Sequence, residues 1–211
     1  MDAQKILEEL LHRYPPLEIC KDQIREAGEI LIESYKNDGK LLVCGNGGSS
    51  SDSNHIVGEL MKSFSKKRPI SHEFSASLKE ISGDRGQLLS TKLERGLSAI
   101  SLSAHSGLVS AISNDIGGDF VFAQQVAGYG GKNDVLLGIS TSGNSQNVVD
   151  ACITAKAKGM KVLGLIGQNG GKMKAYCDAA ICVPSTATAH VQEYHLPIYH
   201  ALCIIVEETF F

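Results

Sequence analysis

Five short apolar runs punctuate this chain: Leu41 to Cys44, Ala99 to Leu102, Val135 to Ile139, Val162 to Ile166 and Ala179 to Val183. None of them alternates polar and apolar residues. Strands of that kind are buried on both faces, which is the condition of a parallel sheet covered by helices. Loops of glycines and hydroxyl residues follow the runs, and helical periodicity is expected near Asp52 to Ser63, Ser106 to Ile116, Ser145 to Lys158 and Val191 to Phe210. The grammar therefore predicts an α/β fold with a doubly wound five-stranded parallel sheet flanked by helices.

Two further helices precede the first run. Ile6, Leu7, Leu10 and Leu11 recur at helical spacing, and after Pro15-Pro16 a second pattern passes through Ile19, Ile24, Ala27, Ile30 and Leu31. With 211 residues and 43% hydrophobic content, the chain supports one substantial core, so residues 1–211 read as a single domain. Residues 1–38 form a helical lead-in, expected to contact another subunit. Residues 66–95 break the grammar: Lys, Glu, Ser and Gly mix without periodicity around the turn-like Ser82-Gly83-Asp84-Arg85-Gly86. That stretch reads as an exposed excursion with room for a short helix of its own.

Charge narrows the function. Twenty Lys+Arg stand against 23 Asp+Glu, so there is no basic surface to attract nucleic acid and no polybasic run to attract a membrane. Met1 to Leu11 is amphipathic and carries Glu8 and Glu9, unlike a secretory signal. Cys20, Cys44, Cys152, Cys177, Cys182 and Cys203 lie apart, without the close pairs of zinc or redox motifs, and suit buried thiols in a reducing cytoplasm.

Two loops carry the chemistry. After the first strand comes Gly45-Asn46-Gly47-Gly48-Ser49-Ser50-Ser51-Asp52, and after the third comes Ser140-Thr141-Ser142-Gly143-Asn144-Ser145, each opening a helix. Glycines admit a ligand to the backbone, while hydroxyls, amides and the helix dipole satisfy an anion without a lysine. Either loop alone reads equally as a capped strand-to-helix turn. Together, at the carboxyl ends of parallel strands, they point to a phosphate site. The Walker lysine is missing and the spacing does not match GxGxxG, so no nucleotide cofactor is expected.

This pair of loops resembles the sugar isomerase (SIS) domain family, most closely its bacterial phosphoheptose isomerase branch. The likeness runs from about Lys40 to Cys203 and includes Asn114-Asp115, Gly159-Met160-Lys161-Val162, Gly170-Gly171-Lys172-Met173 and Val191-Gln192-Glu193. It implies an aldose–ketose isomerase converting sedoheptulose 7-phosphate to D-glycero-D-manno-heptose 7-phosphate. It also implies a homotetramer with sites at subunit boundaries. The substrate-binding set is then Asn46, Gly47, Gly48, Ser49, Asn114, Asp115, Ser140, Thr141, Ser142, Ser145 and Gln192, although Asn114-Asp115 reads equally as a helix-terminating turn.

His55 and Glu59 stand four apart on one helical face and reach one substrate or one ion. Without the loops a solvated surface pair would be the better reading. An enediol reaction needs a base and a donor to the carbonyl oxygen, which makes Glu59 the candidate base. The resemblance adds His200 as the second catalytic group and implies one zinc per site on His55, Glu59, Gln192 and His200. Geometry objects, because Gln192 and His200 lie eight apart, about 12 Å of rise in a straight helix. A late helix start, a distortion near Pro197 or donors from different subunits would resolve it, and His195 is a rival ligand.

The resemblance also has departures. Ser63 stands where heptose enzymes usually carry Arg, and Ala104 and Ala187 stand where they commonly carry Asp. These keep a second reading open, a noncatalytic phosphosugar-binding or regulatory protein resembling the relative that binds the bacterial replication initiator. Glu59 favours chemistry.

Overall fold

The computed structural model describes residues 3–211. Its strands are β1 (Leu41–Gly45), β2 (Ala99–Ser101), β3 (Val135–Ser140), β4 (Lys161–Gly167) and β5 (Ala179–Val183). They form one sheet in the order β2-β1-β3-β4-β5, and every pairing is parallel. Every residue of β1 and β3 is buried, as unbroken apolar runs require. The edge strands differ: β2 is three residues long, and β5 alternates buried and half-buried positions.

The described α-helices are α1 (Ala3–Arg13), α2 (Lys21–Lys36), α3 (Gly48–Met61), α4 (His72–Lys92), α5 (Ser106–Asp115), α6 (Val121–Tyr129), α7 (Gln146–Ala157) and α8 (Thr188–Phe210). α1, α2, α3 and α8 cover one face of the sheet, where Val43, Leu137, Ile139 and Leu165 meet Ile56, Val191, Ile198 and Leu202. α5, α6 and α7 cover the other, meeting Leu42, Leu136, Val162 and Ile166. The strand residues change faces with period two, so each strand serves both cores. α1 buries Ile6, Leu7, Leu10 and Leu11 in the first core and packs on α8, so the apolar side of the lead-in is occupied by its own chain.

Boundaries differ from expectation at functional points. α3 begins at Gly48 rather than near Asp52, because Gly47 turns the chain with φ 55° straight into the helix. α8 begins at Thr188 and runs unbroken through Pro197. α6 was not foreseen; Val121, Phe122, Gln125 and Val126 are its buried side.

The 66–95 excursion is more ordered than its composition suggests. α4 is two helices joined where Ser82 and Gly83 leave helical geometry, with Gly83 at φ 38°. A Cβ at Gly86 would lie 1.9 Å from the Leu78 carbonyl oxygen, so the second helix folds back closely on the first. An antiparallel bridge between Pro69 and Glu94 closes its base. Phe74, Ile81, Leu88 and Leu93 remain exposed on it.

Candidate active site

From β1 the chain crosses to β2 on one side, while β3 lies on the other. The carboxyl ends of β1 and β3 therefore flank the switch point where open α/β sheets leave a crevice. Both phosphate-loop candidates open onto it. At Gly143 the chain adopts φ 66°, and a Cβ there would fall 2.2 Å from the Gly170 carbonyl oxygen, so the turn requires glycine. A reciprocal amide pair ties the loops together. Asn46 Nδ2 donates to Asn147 Oδ1 at 2.9 Å, and Asn147 Nδ2 donates to Asn46 Oδ1 at 3.0 Å.

Hydrogen bonds also shape the hydroxyls. Ser140 Oγ is buried, accepts the Gly143 amide at 3.1 Å and lies 3.2 Å from Ser145 Oγ. Ser142 Oγ accepts the Asn144 amide at 3.1 Å, and the Gly167 amide donates to the Thr141 carbonyl at 3.1 Å. Ser49 is buried in the first turn of α3. No side chain caps α3 or α7, so their positive dipole ends face the loops, although the Ser49 and Ser50 amides donate to the Asn46 and Gly47 carbonyls and the Val148 amide to the Ser145 carbonyl, each at 3.0 Å. Gln192 belongs here too: a Cβ at Gly48 would lie 2.5 Å from Gln192 Nε2. Asn114 and Asp115 close α5, with Asn114 Nδ2 donating to Asp115 Oδ1 at 2.8 Å, ahead of a tight Gly118–Phe120 turn packed on α7.

A second cluster forms farther along the same two helices. α3 and α8 run side by side in one direction, so Gly48 meets Gln192 and His55 meets Tyr199 and His200. His55 Nε2 lies 3.1 Å from Glu59 Oε1, and His55 Nδ1 lies 3.0 Å from Tyr199 Oη. Tyr199 donates to Asp52 Oδ1 at 3.3 Å. With the tyrosine proton directed at Asp52, the tyrosine oxygen is free to accept from His55 Nδ1. Burial raises the Asp52 pKa, opposed by the Tyr199 bond and by His55.

The His200 ring stands 5.0 Å from His55 and 5.0 Å from Tyr199, edge to face. Its Nε2 is buried and has no partner among the described residues. Burial lowers its pKa and His55 adds to the effect, against an upward pull from Glu59, so the ring is held toward its neutral form. Glu59 Oε2 accepts a 3.0 Å bond from Lys62 Nζ. Lys62 thus brings a cation to Glu59, one position before Ser63. The i,i+3 spacing of Glu59 and Lys62 was available in the sequence and was overlooked; the partnership of Tyr199 with Asp52 was not readable there.

The predicted residues therefore fall into two groups within one chain. Gly48 and Glu59 are eleven positions apart on one helix, about 16 Å of rise. Of the four implied zinc donors, His55, Glu59 and His200 adjoin, whereas Gln192 sits beside Gly48. Unbroken α8 upholds the spacing objection. Among the described residues, no three His, Cys, Asp or Glu side chains are placed to hold one ion, so one chain does not fit the metal. His195, the rival candidate, is fully buried beside the Ile166 backbone.

Two glycine- and hydroxyl-rich loops at the switch point of a five-stranded parallel sheet, with a carboxylate and imidazoles on the adjoining helices, are the arrangement of a sugar isomerase domain. The chain belongs to the SIS domain family, whose model matches residues 7–101 and 94–167. Its relatives within that family are phosphoheptose isomerases. One from Nitratiruptor sp. is 41% identical over 211 residues, covering 98% of this chain and 99% of the relative. Another, from Helicobacter pylori, is 44% identical over 195 residues, covering 92% and 88%. The solved phosphoheptose isomerase of Francisella tularensis superposes with a TM-score of 0.71 at 30% identity, covering 98% of this chain and 92% of that one. That of Neisseria gonorrhoeae gives 0.70 at 32% identity, covering 98% and 91%.

Proposed function

We propose that the chain is a phosphosugar aldose–ketose isomerase that converts sedoheptulose 7-phosphate to D-glycero-D-manno-heptose 7-phosphate. The observation that carries this reading is the convergence of Glu59, His55 and His200 on adjoining turns of α3 and α8. The Ser49 and Ser140–Ser145 loops hold the phosphate by amides and hydroxyls. The Glu59 carboxylate takes a proton from C1 of the ketose, the C1–C2 double bond forms, and the C2 carbonyl oxygen receives a proton from the His200 imidazole. In the resulting enediol, O1 returns a proton to the His200 imidazole as the protonated Glu59 carboxyl delivers one to C2, leaving an aldehyde at C1. No net oxidation occurs, so no redox cofactor is needed.

The separation of loops and base along α3 exceeds the reach from phosphate to carbonyl in an open-chain seven-carbon sugar. A second copy therefore brings its Glu59 and His200 to these loops, which supports an assembly with sites at subunit boundaries. Among the described residues His55, Glu59 and His200 adjoin without forming an ion site, and Gln192 lies apart from them beside Gly48. Among the described residues no helix is long and apolar enough to cross a membrane, and the six free cysteines support a cytoplasmic setting.

The test is NMR of the purified protein with sedoheptulose 7-phosphate in deuterated water. Aldose should appear, with deuterium incorporated beside the carbonyl. Binding of the sugar phosphate without either would sink the catalytic assignment in favour of a binding protein.

A further inference from the structure

Arg68 and Glu207 are both fully buried, with Arg68 Nε 2.7 Å from Glu207 Oε1. A buried ion pair is commonly no better for stability than well-packed apolar groups of the same volume, so its other contacts show what it does. Arg68 Nη1 donates to the Leu60 carbonyl at 2.7 Å, and Nη2 donates to the Glu59 carbonyl at 3.2 Å. Those carbonyls belong to the last turn of α3, which has no intrahelical donors for them. The guanidinium also lies over the Phe211 ring, 4.9 Å from its centroid.

Glu207 holds the other side. Its oxygens accept the amides of Phe64 at 2.9 Å, Ser65 at 2.8 Å and Lys66 at 3.2 Å, together with the Ser65 hydroxyl. Ser63, where the heptose enzymes carry arginine, uses its Oγ to accept the Arg68 amide at 3.0 Å. Glu207 follows His200 by seven residues on α8, two turns along the same stripe of the helix. One ion pair thus links the main chain of the base on α3 to the helix that carries the second imidazole.

We infer that Arg68 and Glu207 are positioning residues: they form a clamp that fixes the Glu59 carboxylate relative to His200. The inference rests on Glu59 being the base, as proposed above. Arg68 touches no reacting atom and acts through the backbone of Glu59. Misplacing a base by about 1 Å can slow a reaction about a hundredfold without changing how its substrate is held.

The experiment compares Glu59→Gln, the double variant Arg68→Met/Glu207→Leu, and Arg68→Lys, using steady-state kinetics on sedoheptulose 7-phosphate and thermal melting. Removing both side chains leaves the Phe64, Ser65 and Lys66 amides and the Leu60 and Glu59 carbonyls short of a partner, so Tm should fall and kinetics are compared well below it. Turnover of the double variant should fall between about tenfold and a hundredfold while KM stays within about twofold. Arg68→Lys keeps a cation for Glu207 but cannot span both carbonyls, and should show the same split; it decides the matter if the double variant does not fold. Parent-like kcat in a folded variant overturns the clamp. If Glu59→Gln is inactive while the other variants are fully active, the clamp alone fails; if Glu59→Gln retains turnover, the base assignment fails first.

Discussion

At the carboxyl edge of the sheet, Gly47, Ser140, Ser142 and Ser145 present no formal charge, whereas three turns down α3 the chain gathers Glu59, Lys62, His55 and His200. On the proposed function the first region meets something already ionised, and fixed amides and hydroxyls can match a phosphate there without a lysine to desolvate. The second region would have to change its own protonation, and it gathers acids and bases: Glu59 pairs with His55 and Lys62, while His200 Nε2 has no partner among the described residues. Charge is placed where protons move, and dipoles where charge only rests.

The sharpest way to break this comparison is Glu59→Gln. Turnover should fall by about a thousandfold, and calorimetry should find phosphosugar affinity within a few-fold of the parent. Loss of binding instead would merge the two regions into one.

The next effect is on stability and concerns the helix that joins them. His195 is fully buried, and burial pushes its pKa down to about 4 from 6.5, against a smaller upward pull from the Ile166 backbone. The unfolded chain therefore binds a proton that the folded chain refuses. This contribution is whole above pH 6.5 and is lost as pH falls towards 4, by roughly 3 kcal/mol. His195→Phe should flatten the acid limb of Tm against pH; an unchanged limb would show that α8 does not depend on a neutral ring.

Smaller effects sharpen the contrast from each side. Ser142→Ala removes one hydroxyl from the cradle and should raise KM about tenfold, the value of roughly one hydrogen bond, with kcat nearly unchanged. A fall in kcat alone would place Ser142 with the reacting carbons. Lys62 is largely exposed, so Lys62→Ala should change kcat by no more than about fivefold, and the change should shrink as salt rises.

The sheet was legible because its strands carry their burial on both faces in the sequence itself. The loops were legible only as a pair, since either one alone reads equally as a capped strand-to-helix turn. Glu59 and His55 could be paired from helical spacing alone. Arg68 and Glu207 could not, because they are 139 positions apart and neither belongs to a motif. The reciprocal Asn46–Asn147 bond escaped for the same reason. Of the twin helices of α4 only room for one short helix was legible, because the Ser82-Gly83 bend interrupts the Phe74, Leu78, Ile81 spacing before it extends further.

That bend has a practical side. Pro69 and Glu94 meet at the base of the α4 hairpin, so the sheet receives the chain back almost where it left. The bend at Ser82 and Gly83 is accordingly a graft point, where a fluorescent reporter or an affinity tag can be spliced in while β1 and β2 keep their register.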